Sequence, residues 1–297
     1  MKKVVHIVFL VLFSLKLHAQ TEATAKEISL PTGFTKQIDV VYKQVKDWSG
    51  RMDVYLPPKT GKPTPVVFLI HGGAWRTGKK EAYGGFAVYF KLGFAVVNVE
   101  YRLSSQGVAP AGIEDVRCAM LYMVNHADSM NIDKNKIVLA GSSAGAHLAL
   151  LAGLTANNKQ FDKDCPEAEG FTIAAVIAQS TPSILFETLP SGEAKVLKDG
   201  AIYEWFGERK NDVAFAKLLS PITYVAKNNP PVFLTHGDAD PRVPYQQSVT
   251  LDAKMTEVGA KHVFITIPGG GHGGYSKEKQ DEIKQAIIAF LKENVLK

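Results

Sequence analysis

Only two cysteines, Cys118 and Cys165, occur in the 297 residues. Neither belongs to a histidine-containing constellation, which excludes a cysteine nucleophile. There is no His-Glu-x-x-His and no paired His/Asp cluster apart from the one described below, so no metal is expected. The glycine-rich loops lack the lysine and the spacing of a phosphate cradle, so no nucleotide and no other cofactor is expected. The excess of one charge over the other is small as well: 34 Lys and Arg against 29 Asp and Glu leave a net +5. That balance gives no reason to expect nucleic acid or an anionic membrane as partner. Internal repeats and low-complexity linkers are absent.

An apolar run long enough to span a bilayer is also missing. The candidate run, residues 4–15, follows Lys2 and Lys3 and leads into Leu17-His18-Ala19. This is the pattern of a secretory signal peptide over 1–19, cleaved before Gln20. No cysteine stands at the cleavage site, so no membrane anchor is expected after cleavage, and the location is periplasmic or secreted. Loss of Lys2, Lys3 and Lys16, with no acid among the removed residues, takes the net charge from +5 to +2. Residues 20–297 then suit one domain with an ample core. Export permits a Cys118–Cys165 disulfide. Cys118 fits equally well as a small hydrophobe in the helical pattern of Val116, Ala119, Met120 and Met123.

Apolar patterning predicts a hairpin of 38–45 and 52–56 turning at Trp48-Ser49-Gly50. Strands follow at 66–70, 94–99, 136–140, 173–178, 232–235 and 263–267, with helices over 79–92, 111–129 and 276–296. Residues 182–218 read as an irregular insertion carrying Tyr203, Trp205 and Phe206. Strands alternating with helices make an α/β protein: a mostly parallel central sheet covered by helices on both faces. Ligands in such sheets bind at the carboxyl ends of the strands.

The residues Ile137 to Leu151 run as apolar strand, tight turn and Ala/Leu-rich helix around Gly141-x-Ser143-x-Gly145. This is a nucleophile elbow, in which a strained turn lifts the serine to the end of the sheet. The helix that starts there aims its positive end and the Ala144 amide at a bound carbonyl oxygen. Ser143 needs a base and an acid to orient that base. Among the histidines, His272 lies in the glycine-rich loop after the last strand, where a base can approach. His147 reads as a buried structural histidine and His71 as a brace for its own loop. The acid comes from the loop after 232–235, which holds Asp238 and Asp240. The order Ser, Asp, His is that of the α/β-hydrolases. In His71-Gly72-Gly73-Ala74 the amides near Gly73 and Ala74 complete an oxyanion hole with Ala144. Trp75 walls the site or packs the core. Tyr203, Trp205 and Phe206 form a lid over the substrate, with Trp205 the expected contact, or pack the insertion down.

With these residues the chain resembles the α/β-hydrolase carboxylesterases of the hormone-sensitive-lipase type and their secreted bacterial relatives acting on plant-polysaccharide esters. The resemblance spans roughly 54–296. It is carried by His71-Gly72-Gly73-Ala74-Trp75, Tyr101-Arg102-Leu103, Pro110-Ala111 with Asp115, the elbow, His236-Gly237-x-x-Asp240 with Val243-Pro244, and His272. It implies the α/β-hydrolase fold with 182–218 as a short lid, and the triad Ser143, Asp240 and His272. Pro241 gives a physical reason for that choice of acid, since it holds the residue before it extended, whereas Asp238 is expected to cap the turn through amides two residues on. Ala74 stands where the lipase-like branch has a third glycine, and the large helical cap of that branch is absent. Both departures point to esterases resembling feruloyl and acetyl-xylan esterases, acting on a small-molecule or oligosaccharide ester. A prolyl-oligopeptidase-like peptidase and an arylformamidase-like amide hydrolase are the enzymatic rivals, and a binding protein on an inactive hydrolase fold is the non-enzymatic one.

Overall fold

The computed structural model describes residues 28–297 apart from Tyr83. The expected signal peptide lies outside the described residues. In chain order the strands and helices are β1 (Thr35–Val45), β2 (Trp48–Leu56), β3 (Thr64–Ile70), α1 (Phe86–Lys91), β4 (Ala95–Val99), α2 (Ala111–Asn125), α3 (Ala127–Met130), β5 (Ile132–Ser142), α4 (Ala144–Leu154), β6 (Ile173–Gln179), β7 (Phe186–Thr188), β8 (Ala194–Val196), α5 (Gly200–Phe206), α6 (Val213–Leu218), β9 (Val232–Gly237), α7 (Gln246–Val258), β10 (His262–Ile267) and α8 (Lys277–Asn294).

Eight strands form one sheet in the order β1-β2-β4-β3-β5-β6-β9-β10. The β1/β2 and β2/β4 pairs are antiparallel, and every pair from β4 to β10 is parallel. Alternation along each strand sorts side chains into two cores. Val66, Phe68, Ile70, Ile137 and Leu139 pack with α2 and α4 on one face. Val67, Leu69, Val138 and Ala140 pack with Phe90 of α1 and Ile287 of α8 on the other. Burial on both faces explains why the central strands read as unbroken apolar runs. All eleven residues of α4 are buried, which is why that helix is Ala/Leu-rich on every side.

Four expectations need correction. The hairpin turns at Lys46-Asp47, with Lys46 at φ 50°, and Trp48-Ser49-Gly50 lie in β2. Gly50 is there because a Cβ would come within 2.7 Å of the Tyr42 ring and 2.8 Å of the Trp48 ring, not because the chain turns. The helix expected over 79–92 is a short 3-10 turn at Lys80–Ala82 followed by α1, since Gly85 takes a left-handed φ of 95°. The helix over 111–129 is two, divided at His126. The 182–218 insertion is ordered, built from the β7/β8 hairpin, α5 and α6. Asp199 caps α5 through the amides of Ala201 and Ile202, and Asp212 caps α6 through that of Phe215. Cys118 and Cys165 are joined in a disulfide, which ties α2 to the segment following α4.

Candidate active site

β5 ends at Ser142 and α4 begins at Ala144, so the whole change of direction falls on Ser143, at φ 56° and ψ −124°. A non-glycine residue in that region is strained by about 1–3 kcal/mol. The turn is held by its neighbours: the Ser143 amide donates to the Gln179 carbonyl at 2.8 Å, and its carbonyl accepts from the His147 amide at 3.0 Å. A Cβ on Gly141 would stand 2.4 Å from the Gly145 backbone, and one on Gly145 would stand 2.0 Å from the Ile70 carbonyl oxygen. The elbow therefore needs glycine at both places because backbone passes against backbone. Ala144 is the first residue of α4, where helix geometry leaves the N–H without an intrahelical acceptor.

The loops after β9 and β10 supply a hydrogen-bonded pair. His272 Nδ1 lies 2.6 Å from Asp240 Oδ2. The other oxygen, Oδ1, accepts the amides of Arg242 at 2.8 Å and Val243 at 3.1 Å. Burial pushes the Asp240 carboxyl up, but the hydrogen bond from His272 and the two amides outweigh it and hold the group below the usual carboxylate range. A carboxylate only accepts, so the proton of neutral His272 sits on Nδ1 and Nε2 carries the free lone pair. Asp238 has another task than the one expected. Its Oδ1 accepts the amide of Gly269 at 2.7 Å, clipping the β9 loop to the β10 loop, and it is Asp240 that caps the turn, through the amides of Arg242 and Val243 two and three residues beyond it.

Past β3, Gly73, Ala74 and Trp75 all have positive φ, at 118°, 54° and 58°. Their turn is closed by the Gly73 carbonyl, which accepts from the amides of Arg76 and Thr77 at 3.1 and 3.0 Å. His71 braces this loop: Nδ1 donates to the Gly72 carbonyl at 2.7 Å, and the ring stacks on Tyr101 at 4.3 Å. Burial lowers its pKa and keeps it neutral. His147 is a structural histidine, fully buried, accepting from Trp75 Nε1 at 3.2 Å and donating to the Leu219 carbonyl at 2.7 Å.

Ser143, Ala144, Gly73, Ala74, Trp75 and His272 all line one cavity of about 960 Å³, which Asp240 reaches only through His272. The insertion forms one wall of it with Ile184, Leu197 and Ile202. Trp205 is not part of that wall, contrary to the expected contact. It is fully buried and stacked at 4.7 Å against Trp75, and it does not line the cavity. Two further lining residues carried no signal in the sequence. Gln179 ends β6 beside the elbow. Gln247, on α7, accepts the amides of Ser183 and Ile184 at 2.9 and 2.7 Å and donates to the Ile184 carbonyl at 3.0 Å, so it anchors the start of the insertion. Among the described residues no cluster of three His, Cys, Asp or Glu side chains is arranged to hold a metal ion.

The BD-FAE family model matches residues 52–255, and that of TAP-like protein matches 217–296. The esterase LipC of Mycobacterium tuberculosis is 29% identical over 235 residues, covering 71% of this chain and 53% of LipC. The esterase LipQ of the same organism is 31% identical over 229 residues, covering 74% of this chain and 53% of LipQ. The chain thus spans about half the length of the curated relatives it matches. A truncated form of a carbohydrate esterase from gut microbiota superimposes with a TM-score of 0.72 at 27% identity, covering 89% of this chain and 97% of that one. An acetyl ester-xyloside bifunctional hydrolase from Caldicellulosiruptor lactoaceticus shares the fold, with a TM-score of 0.73 at 20% identity over 89% of this chain and 97% of that one.

Proposed function

Because this chain belongs to the BD-FAE family and has the α/β-hydrolase fold, we propose that it is a serine esterase that works through an acyl-enzyme. The observation that carries this is the Asp240–His272 pair opening on the same cavity as the strained Ser143. His272 Nε2 takes the Ser143 proton while Oγ attacks the ester carbonyl carbon. The amides of Ala144 and of the turn at Gly73 and Ala74 receive the oxyanion. Collapse of the tetrahedral intermediate breaks the bond to the leaving oxygen, and His272 returns the proton to that oxygen, releasing the alcohol. Water then gives its proton to His272 and attacks the acyl carbon, and collapse re-forms the Ser143 hydroxyl with the same proton and frees the acid.

The substrates are short-acyl or feruloyl esters of plant polysaccharides, taken as small molecules or oligosaccharides. A solved relative named as a carbohydrate esterase supports this class, as does a cavity whose insertion wall mixes Ile184, Leu197 and Ile202 with the charged Glu187, Lys198 and Asp199. The enzyme is exported with removal of residues 1–19. Support for export comes from the charged and apolar start of the chain and from the Cys118–Cys165 disulfide, which persists in oxidising compartments. The test is a panel of p-nitrophenyl acetate, butyrate and octanoate, methyl ferulate, acetylated xylo-oligosaccharide and an aminoacyl-prolyl anilide, with fluorophosphonate labelling mapped by mass spectrometry. Turnover of the short esters with labelling at Ser143 is expected. Cleavage of the anilide alone would make the chain a peptidase.

A further inference from the structure

A buried histidine stands behind the acid. His236, near the end of β9, is fully buried, and the loop carrying Asp240 folds back over its ring. Its Nε2 lies 3.0 Å from the Val243 carbonyl oxygen and 3.2 Å from Asp240 Oδ2, the same oxygen that receives His272. Both neighbours are acceptors, so Nε2 carries the proton. Nδ1 then holds the lone pair, and the hydroxyl of Ser248, 2.7 Å away and itself fully buried, donates to it. Burial keeps the ring neutral. The titratable groups that face it are Asp240 and His272, with the Tyr245 ring edge-on at 5.9 Å.

His236 thus acts on the carboxylate by two routes. It grips the carbonyl of Val243, whose own amide is one of the two donors to Asp240 Oδ1. Its Nε2–H group also stands 3.2 Å from the oxygen shared with His272, near enough for its positive end to draw off part of the charge that the base would otherwise feel. We propose that His236 is a positioning residue for the reaction, fixing the Asp240 carboxylate toward His272, with Ser248 fixing the tautomer of His236. The kinetic side of this rests on the esterase function proposed above. The direction of the effect follows from the electrostatics. Without the N–H of His236, the whole carboxylate charge falls on His272, which holds its proton more tightly. The acid limb of the kcat/KM profile then moves to higher pH. A side chain that only filled space would lower the amount of folded enzyme and leave that limb in place.

The experiment uses the full chain with His236→Phe, His236→Gln and Ser248→Ala. It measures kcat/KM against pH on p-nitrophenyl acetate, together with the downfield proton resonance of the His272–Asp240 hydrogen bond in the unliganded protein. His236→Phe should lower kcat by about 10- to 100-fold with KM changed by less than about twofold, and should move the acid limb upward. His236→Gln, which restores an N–H toward Val243, should recover part of the rate. Ser248→Ala should move the limb the same way by a smaller amount, and it carries the test if His236→Phe does not fold. An acid limb and a downfield resonance both unmoved in the folded variants would overturn the proposal. No turnover of any ester by the wild type, with a resonance that still shifts in Ser248→Ala, would sink the esterase function and leave the positioning role standing.

Discussion

Trp75 and Trp205 stack face to face, their ring centroids 4.7 Å apart and their planes 7° from parallel. One comes from the loop after β3 and the other from the insertion. Trp75 also donates through Nε1 to His147 of the elbow helix, whose ring stands edge-on to Trp205 at 5.4 Å. Loop, elbow helix and insertion are therefore joined through three rings, with Trp205 wholly inside. Trp205→Ala should leave a large cavity and cost about 3–5 kcal/mol. Because the loop proposed to receive the oxyanion loses its backing, the rate should fall alike on acetate, butyrate and ferulate esters. Melting temperature and kcat across the acyl series check this; a changed acyl preference at unchanged stability would mean that Trp205 touches substrate after all.

The residues that chemistry restricts most were legible in the chain. Gly141 and Gly145 around Ser143, and Gly237 three residues before Asp240, mark places where backbone passes close to backbone, whereas His272 stands out by its place in the loop after the last strand, since Gly271 and Gly273 face open space. What was not legible depends on which side of an element faces inward. Tyr203, Trp205 and Phe206 form an aromatic cluster in the sequence, yet only the folded helix α5 decides that Trp205 and Phe206 are buried while Tyr203 is not. His236 looks like a plain residue before a glycine until the Asp240 loop wraps over it. Order in the insertion was missed, although Asp199 and Asp212 each stand just before a helix as N-caps. A glycine is also ambiguous by itself: Gly85 breaks a helix through its left-handed φ, whereas Gly50 makes room for two rings inside a strand.

The Cys118–Cys165 disulfide closes a loop with a sequence separation of 47. Cross-linking over that distance restricts the unfolded chain, and its loss should cost about 2–4 kcal/mol. Neither cysteine lines the cavity, and the same segment is held independently by Arg117, whose Nε and Nη2 lie 2.6 and 2.8 Å from the Asp162 carboxylate. Reduction, or Cys118→Ala with Cys165→Ala, should lower the urea midpoint and leave kcat on p-nitrophenyl acetate unchanged. A comparable drop in kcat for folded, reduced enzyme would show that the bridge shapes the site.

His147 makes stability depend on pH. Burial lowers its pKa from 6.5 to about 4, so the folded chain keeps it neutral while the unfolded chain protonates it below its ordinary value. The unfolded state thus binds more protons between those two values, and stability falls as pH drops through that window. Above the ordinary value the contribution is complete, and below the folded value nothing further is lost. The loss attributable to His147 should be about 2 kcal/mol between neutral pH and about pH 5. His147→Gln keeps an acceptor and a donor but does not titrate, so its urea-unfolding free energy should decline less over the same range. Parallel pH dependence in the two proteins would remove His147 as the cause.

The two aspartates of the β9 loop should behave oppositely under the same isosteric change. In Asp240→Asn the amide oxygen can still accept from Arg242 and Val243, so the loop has no reason to open. The amide nitrogen must then face His272 Nδ1 at the position of the lost Oδ2. A donor there favours the tautomer with Nδ1 unprotonated and the proton on Nε2, where it cannot act as a base. The loss of kcat should be about 10⁴-fold with the fold intact. In Asp238→Asn the oxygen that accepts from Gly269 is retained, and nothing about His272 changes. Its rate should stay near wild type and its stability should drop by no more than about 1 kcal/mol, while Asp238→Ala, which removes the acceptor, should show the larger loss of stability. All three variants can be assayed on one ester with circular dichroism as the check on folding. If Asp238→Asn proves more damaging to kcat than Asp240→Asn, the carboxylate that orients the base has been wrongly assigned, whatever the crossing of the two loops suggests.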